Sequence, residues 1–382
     1  MLRTIAARRL ITRTETIDHP VLHIEDGVIA AINSDPGNKA AETTLTPTFF
    51  DVHTHGAANH DVMEATPEAL HAVGRFLATR GVGHYLPTTV TAPVDQTLRS
   101  LEGLANAIEA PSAEGEARPI GIHLEGPFIS HAKRGVHPPA DIQPPSIALF
   151  ELFQQAARGH IRLITVAPEI PGAIEMISHA VTHGVRVSIG HTNAHAHEAQ
   201  TAINAGATTA THTYNAMRSL DHREPGVLGT VLDTQSLFAE LICDGIHVAP
   251  ELVRLWLKAK GEDRGILITD SISATGMPDG IYSLGTFKVK VADGRALAAE
   301  DLAHGKSTLA GSILTLDRAV ANLQRFTGAS LETATRMASH NPATMMGVSG
   351  EVANVVVGQP ANLNIFNATG DLTKTILNGV EL

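Results

Sequence analysis

Six side chains in this sequence have the types and the placement for metal-assisted chemistry: His53, His55, Glu125, His191, His212 and Asp270. The pair His53 and His55 closes an apolar run that begins at Leu45. If that run is a strand, its period of two puts both imidazoles on one face, and neutral ring nitrogens are good ligands for Zn²⁺ and its neighbours. An isolated His-x-His is as readily a polar turn after a core strand. The other four residues change the balance, because each ends a strand-like segment of its own. Glu125 ends His123-Leu124-Glu125, His191 follows Ile189-Gly190, His212 follows Thr211, and Asp270 closes Ile268-Thr269-Asp270. Singly, each reads as a hydrogen-bonded core histidine or an acid capping a helix. Six on one rim point to a shared metal site.

The donor set is all nitrogen and oxygen. Four histidines and a glutamate exceed the three protein ligands of a single catalytic zinc, so Glu125 is a candidate bridge between two ions. Water activated there would be a nucleophile at neutral pH. Asp270 is the candidate general base and later acid, and also a candidate further ligand. The expected cofactor is one or two divalent cations per subunit, Zn²⁺ first, with Fe²⁺, Mn²⁺ or Co²⁺ also suited to these donors.

The elements that must position these residues follow from the pattern of the chain. Its 382 residues are 43% hydrophobic and 18% charged, enough for a sizeable core and long enough for a large α/β barrel plus a minor domain. Strand-like segments at 45–53, 82–91, 119–125, 161–168, 184–191, 207–212, 238–244 and 265–270 alternate with helical ones, among them 68–79, 146–158, 173–183, 197–205 and 250–260. Eight such units predict a closed (β/α)₈ barrel, whose catalytic face is the C-terminal end of its strands. A doubly wound open sheet is the alternative, but no Gly-rich dinucleotide fingerprint follows the first strand. Both ends of the chain read as short strands. At the start, 21–24 and 28–32 read as a hairpin around Glu25-Asp26-Gly27; at the end, 361–366 and 373–377 read as short strands. The expectation is a small β-sandwich from residues 1–46 and 349–382 flanking a barrel of 47–348. Residues 110–116 read as a surface loop, and 287–298 as a hairpin insertion.

Composition narrows the partners. The net charge of −11, without a basic stripe, argues against nucleic acid. No run of 18 apolar residues offers a membrane span. Cys243 is the only cysteine, so no internal disulfide forms, as expected of a cytoplasmic chain. The basic start, 1–10, lacks the serine enrichment of a transit peptide and reads as a first strand. A small molecule is the expected partner.

The segments DVHTHG, HLEGPF, VAPE, GHT, HTYNAM, REPG, CDGIHV, TDSISATGMPDGIYSLG, LAGS and HNPA, in this order between about 47 and 365, resemble those of the N-acetylglucosamine-6-phosphate deacetylases of the amidohydrolase superfamily. The resemblance implies a distorted (β/α)₈ TIM-like barrel with a small β-sandwich, a homodimer, and hydrolysis of the acetamide of N-acetylglucosamine 6-phosphate. It implies that Glu125, His191 and His212 hold the principal metal, that His53 and His55 add a second, and that Asp270 is the base and acid. It gives His137 a contact to the substrate or its carbonyl, and His247 a contact to sugar or phosphate. Asn215 and Ala216, where a helix is expected to begin, would receive the phosphate on backbone N–H groups. Arg223 would add a bidentate contact, in its own subunit's site or in a neighbour's. Leu309 and Ala310 would frame the pocket, with Ser312 as the N-cap of the next helix. Ser271 stands where an alanine is common in the family, and 129–134 is variable ground. The rivals are the galactosamine isomer as substrate, a cyclic-amide hydrolase of the same superfamily, and a sugar-phosphate sensor without catalysis.

Other tempting residues get an ordinary reading. His195 and His197 fall at a helix start and should face solvent. Cys243 lies within a strand, with no histidine to activate it. His60, His71, His84, His179 and His183 lie outside these segments, and His340, although it opens HNPA, has no support as a site residue. Asp51 either orients a ligand histidine or caps a turn.

Overall fold

A computed structural model describes residues 2–37, 42–111 and 113–382; Met1 of the basic start and Ser112 of the 110–116 loop lie outside the described residues. The central sheet has nine strands. One is the two-residue strand Arg118–Pro119, and the other eight form the barrel. These are β1 (Phe49–Thr54), β2 (Val82–Thr89), β3 (Ile122–Glu125), β4 (Ile161–Val166), β5 (Arg186–Ile189), β6 (Thr209–Ala210), β7 (Phe238–Ile242) and β8 (Gly265–Ile268). Each pairs in parallel with the next from β1 to β8. Just beyond β1 and β8 the ring closes. The Asp270 N–H donates to the His53 carbonyl at 2.9 Å and the His55 N–H to the Ser271 carbonyl at 2.8 Å.

The helices are amphipathic and cover the ring. In α1 (Pro67–Ala78), Ala69, Leu70, Val73 and Leu77 are buried at helical spacing, and the Thr66 hydroxyl caps the start by accepting from the Ala69 N–H at 3.3 Å. The others used below are α2 (Val94–Glu109), α3 (Ile147–Ala156), α4 (Ala173–Thr182), α5 (Ala196–Asn204), α6 (Gly226–Asp233), α7 (Pro250–Lys260) and α8 (Leu316–Thr327). Among the described residues, no helix is long and apolar enough to cross a membrane.

Inside the barrel, beneath the rim, small polar side chains bond one another instead of leaving a dry layer. His123 Nε2 lies 2.8 Å from Thr165 Oγ1, Thr165 Oγ1 lies 2.8 Å from Thr211 Oγ1, and Ser188 Oγ lies 2.5 Å from the same hydroxyl. Thr165, Ser188 and Thr211 thereby find partners for their buried hydroxyls, as the low dielectric of an interior favours.

The terminal strands form two further sheets. Leu2–Ala6, Pro20–Glu25 and Val28–Ser34 make an antiparallel three-stranded sheet, and six strands from both ends of the chain, Thr44–Pro47 and Leu363–Phe366 among them, make the other. The two share a separate core that includes Leu10, Leu22, Ile29, Leu45, Leu363 and Ile376. The strand expected over 45–53 is two strands: Thr44–Pro47 belongs to this terminal sheet and β1 to the barrel. An unbroken apolar run conceals the exchange because both halves are buried. The insertion expected at 287–298 is a three-stranded sheet, since Gly280–Leu284 pairs with Phe287–Ala292 ahead of Arg295–Ala298.

Candidate metal centre

The barrel brings all six rim residues together. His53 is the next-to-last residue of β1 and His55 follows the strand; Glu125 ends β3; His191, His212 and Asp270 stand just past β5, β6 and β8. Two groups of ligand atoms result, His53 with His55 and Asp270, and Glu125 with His191 and His212, each within 4.8 Å. Glu125 joins them. Its Oε1 lies 3.2 Å from His191 Nε2, 3.1 Å from His212 Nε2 and 3.4 Å from His53 Nε2, and its Oε2 lies 3.3 Å from His55 Nε2. Asp270 Oδ1 is 3.1 Å from His55 Nε2 and 3.6 Å from His53 Nε2.

Three of these residues hold a backbone that L-residues avoid: φ is +46° at His191, +27° at His212 and +50° at Asp270. Such conformations cost roughly 1–3 kcal/mol each and persist where the surroundings enforce them, as they do at functional sites. Here the local turn swings each side chain off the strand end into the mouth of the barrel. At Gly126, φ is +79° and an added Cβ would meet Thr91 Oγ1 at 2.1 Å, so only glycine lets the chain turn directly after Glu125.

The protonation pattern fits a cation. His55 Nδ1 faces the Thr88 carbonyl at 2.9 Å, His191 Nδ1 the Lys133 carbonyl at 2.9 Å, and His53 Nδ1 the Glu240 carboxylate at 3.2 Å. Each neutral ring then carries its proton on Nδ1 and turns its Nε2 lone pair into the site. Yet the Nε2 atoms of His53 and His55 are 3.3 Å apart, and those of His191 and His212 are 3.1 Å apart. Lone pairs that close repel unless positive charge sits among them. The acids supply the complementary field. Against the opposing effect of burial, Glu125 and Asp270 raise the basicity of His53 well above the ordinary imidazole value and that of His55 to about 9. Burial likewise opposes ionisation of the acids, but His53 and its neighbours hold Glu125 well below the usual carboxylate range and Asp270 at about 2. The residues present therefore fit a divalent-cation centre of one or two ions, which the two ligand groups and the Glu125 between them would hold.

The rim opens into a cavity of about 300 Å³. Of the expected substrate contacts, His137, Asn215, Ala216, His247 and Leu309 line it. Ala310 is fully buried behind that wall. Arg223 is exposed on a turn, outside this cavity, with its N–H on Asp221 Oδ1 at 2.9 Å. Asn215 and Ala216 do not begin a helix: they lie in a series of turns, Ala216 with φ +50°, and α6 starts only at Gly226. Ser312 is not an N-cap either. Its hydroxyl donates to the Thr269 carbonyl at 2.6 Å, fastening this loop to β8, and α8 begins at Leu316.

His137 has a fixed tautomer. Its Nδ1 accepts the Thr91 N–H at 3.2 Å, so its proton is on Nε2, which lies 3.6 Å from Glu125 Oε2. Burial and the neighbouring His191 push its pKa down to about 4, so the ring is neutral. His247 is held by Asp244, Nδ1 to Oδ2 at 2.7 Å. Asp51 does not touch a ligand ring. Its Oδ1 accepts the His53 N–H at 3.2 Å and its Oδ2 accepts the Thr269 hydroxyl at 2.6 Å, tying the backbone of β1 to that of β8. Cys243 is buried, and burial, with Asp244 nearby, pushes its thiol up to about 12. His195 stands at the N-cap of α5, and His197 in its first turn is exposed.

Two residues escape a reading of the sequence. Lys133 is the sole lysine or arginine among the described residues that line the cavity. It sits in the segment 129–134, whose identity the motifs leave open. Glu240 is a fully buried acid within β7, legible only as one charge in the apolar stretch Leu237-Phe238-Ala239-Glu240-Leu241-Ile242.

Residues 44–382 match the Amidohydrolase family. The chain is 36% identical over 365 residues to N-acetylgalactosamine-6-phosphate deacetylase of Escherichia coli O157:H7, covering 95% of this chain and 94% of that one. It is 35% identical over 382 residues to N-acetylglucosamine-6-phosphate deacetylase of Bacillus subtilis (strain 168), covering 97% and 94%. Among solved structures, a mutant N-acetyl-D-glucosamine-6-phosphate deacetylase from Mycobacterium smegmatis, in complex with N-acetyl-D-glucosamine-6-phosphate, superposes with a TM-score of 0.92 at 31% identity, over 100% of this chain and 99% of that one. With the family matched across nearly all of the barrel and relatives of this similarity spanning the whole chain, the protein belongs to the amidohydrolase family.

Proposed function

We propose that this chain is a metal-dependent amide hydrolase that converts N-acetylglucosamine 6-phosphate and water to glucosamine 6-phosphate and acetate. The observation that carries this reading is the convergence of two ligand groups on one shared carboxylate, Glu125, at the mouth of a cavity lined by His137, His247 and Lys133. We assign His53, His55, Glu125, His191, His212 and Asp270 to the metal. A divalent cation held there lowers the pKa of water and polarises a carbonyl oxygen. Zn²⁺ suits the donors best, with Fe²⁺, Mn²⁺ and Co²⁺ as alternatives.

The remaining work falls to the chain's own groups. Asp270, ionised and beside His55, accepts a proton from the attacking water as the new C–O bond forms. The neutral His137 presents its Nε2–H to the carbonyl oxygen and donates to it as charge develops there. Asp270 then delivers its proton to the amide nitrogen as the C–N bond breaks. Ala216 offers its backbone N–H to the phosphate from a turn and Asn215, whose own N–H is on the His212 carbonyl at 2.9 Å, offers its side-chain amide; His247 contacts the sugar or phosphate, Leu309 lines the cavity with Ala310 packed behind it, and Lys133 supplies a cation from the same chain. Arg223, exposed outside its own cavity, would serve the site of a second copy in a homodimer. The single buried thiol and the absence of an internal disulfide support a cytoplasmic setting.

The similarity to an N-acetylgalactosamine-6-phosphate deacetylase favours one second reading, the isomer that differs at a single ring hydroxyl. Acetate release from N-acetylglucosamine 6-phosphate, its galactosamine isomer and the unphosphorylated sugar separates these. The account expects turnover of the phosphorylated glucosamine and at least tenfold less of the others. A preference for the isomer reassigns the substrate, and no release from any of them by folded, metal-loaded protein removes the deacetylase reading.

A further inference from the structure

Glu240 is a carboxylate in a place where carboxylates are costly. It is fully buried in the middle of β7, between Ala239 and Leu241, which are fully buried as well. Among the described residues no lysine or arginine pairs with it, and its one ion-pair partner is His53. Its Oε2 lies 3.2 Å from His53 Nδ1 and accepts the His212 N–H at 3.3 Å, while its Oε1 has no partner. An interior acid paired so sparingly destabilises the fold relative to an apolar residue of the same size. Its presence calls for a use at His53.

The four rim histidines differ in what faces their second nitrogen. His55 and His191 have backbone carbonyls, from Thr88 and Lys133. His212 Nδ1 has no partner among the described residues. His53 alone has a charged acceptor. A carboxylate on Nδ1 fixes the proton there, aims the Nε2 lone pair and makes the imidazole a stronger donor than a carbonyl does. The same oxygen also takes the backbone N–H of His212, a member of the other ligand group, so one carboxylate spans both groups.

We propose that Glu240 is the positioning residue that makes the His53–His55 group a second metal site. It acts through His53 and touches neither substrate nor cation. The inference rests on the metal-dependent reading above and adds which residue secures the weaker of two cations.

The test is metal content per chain at equilibrium against graded chelator, for the wild-type protein, Glu240→Gln and Glu240→Leu, with unfolding curves confirming that each is folded. Glutamine keeps a neutral acceptor for Nδ1 and drops the charge; leucine removes both. The wild-type chain is expected to hold two cations. Each variant should release one of them at roughly 10- to 100-fold lower chelator strength, the leucine variant more readily than the glutamine one, with the other cation, which Glu240 reaches only through the His212 backbone N–H, affected far less. That split is not the mark of a merely loosened fold, which weakens both sites together. Parallel loss of both cations, unchanged affinity for both, or a single cation in the wild-type chain overturns the inference while leaving a one-metal hydrolase intact. A wild-type chain that binds no divalent cation at all removes the functional reading itself.

Discussion

Among the described residues, two regions carry the ingredients of a metal site beyond a lone ligand pair, and they are built differently. On the barrel rim, His53 and Glu125 are 0% and 3% exposed in their side chains, and their neighbours are buried with them. On the outer surface, Glu151 of α3 meets His179 of α4 and His183 just beyond it, with ligand atoms equally close together. There, Glu151 and His179 are 50% and 23% exposed and 2.5 Å apart, and His183 Nδ1 donates to the His179 carbonyl at 2.8 Å. The surface histidine turns its Nε2 onto the acid in an exposed contact open to water. On the rim, the protons are held on the far nitrogens and the lone pairs face each other. Ligand type and proximity are common to both regions. What distinguishes the rim is a supporting set of acceptors, Thr88, Lys133 and Glu240, that leaves the near nitrogens free.

The largest effect that should follow from this contrast is at Asp270. Asp270→Asn removes the proton carrier, and turnover should fall by about 10²–10⁴-fold in steady-state assays while calorimetry still detects substrate binding. Turnover within tenfold of wild type would place the base elsewhere on the rim.

A smaller effect is expected at Lys133, whose backbone carbonyl orients His191 while its side chain lines the cavity. Lys133→Ala keeps the carbonyl. It should raise KM for the phosphorylated sugar about 10- to 100-fold, the value of one charge-assisted hydrogen bond, with kcat within about twofold. An equal loss on the unphosphorylated sugar would show that Lys133 acts through His191 and not on the phosphate.

His340 sharpens the comparison as a buried imidazole with no ligand neighbours. It is 5% exposed, and burial, aided by Arg336 and Arg13, pushes its pKa down to about 4. The folded state thus resists a proton that the unfolded chain accepts near its ordinary value of about 6.5. The associated stability is fully present above about pH 6.5 and is lost as pH falls from there to about 4, by up to about 3 kcal/mol. Urea unfolding of metal-free protein across that range should show a shallower pH slope in His340→Gln than in wild type. Identical slopes would remove His340 from the account.

The smallest effect belongs to the surface group. Replacing His179 and His183 together by alanine should leave kcat, KM and the count of tightly bound metal unchanged, and stability within about 0.5 kcal/mol, as for exposed substitutions generally. Loss of a bound metal would put the two regions on the same footing.

Much of this arrangement is legible in the chain because barrels write themselves as alternating patterns and place chemistry at strand ends. That logic finds all six rim residues before any geometry is known, and the helix expected over 250–260 is α7, Pro250–Lys260. What escapes is whatever depends on where the backbone turns. The run from Leu45 to His53 hides the exchange between two sheets. The left-handed turns at His191, His212 and Asp270 leave no sequence mark, because none of these residues is glycine. A helix was expected at Asn215, but the turns that follow His212 postpone it to Gly226, and Ser312 spends its hydroxyl on the Thr269 carbonyl in place of capping. Glu240 shows how an inward position in a strand can serve a ligand on another strand: its partner His53 is 187 residues away in sequence, and only the closed ring brings them together.

The central claim is that the buried rim group, and no other, makes this chain a metal-dependent hydrolase. Acetate release from N-acetylglucosamine 6-phosphate tests it most directly, run on protein stripped by chelator, with metal content measured, and again after a divalent cation is restored. The account predicts that activity disappears with the metal and returns with it in wild type, and does not return in a His191→Ala, His212→Ala chain whose surface group is intact. Full activity in protein shown to be metal-free, or recovery in that double variant, would contradict it.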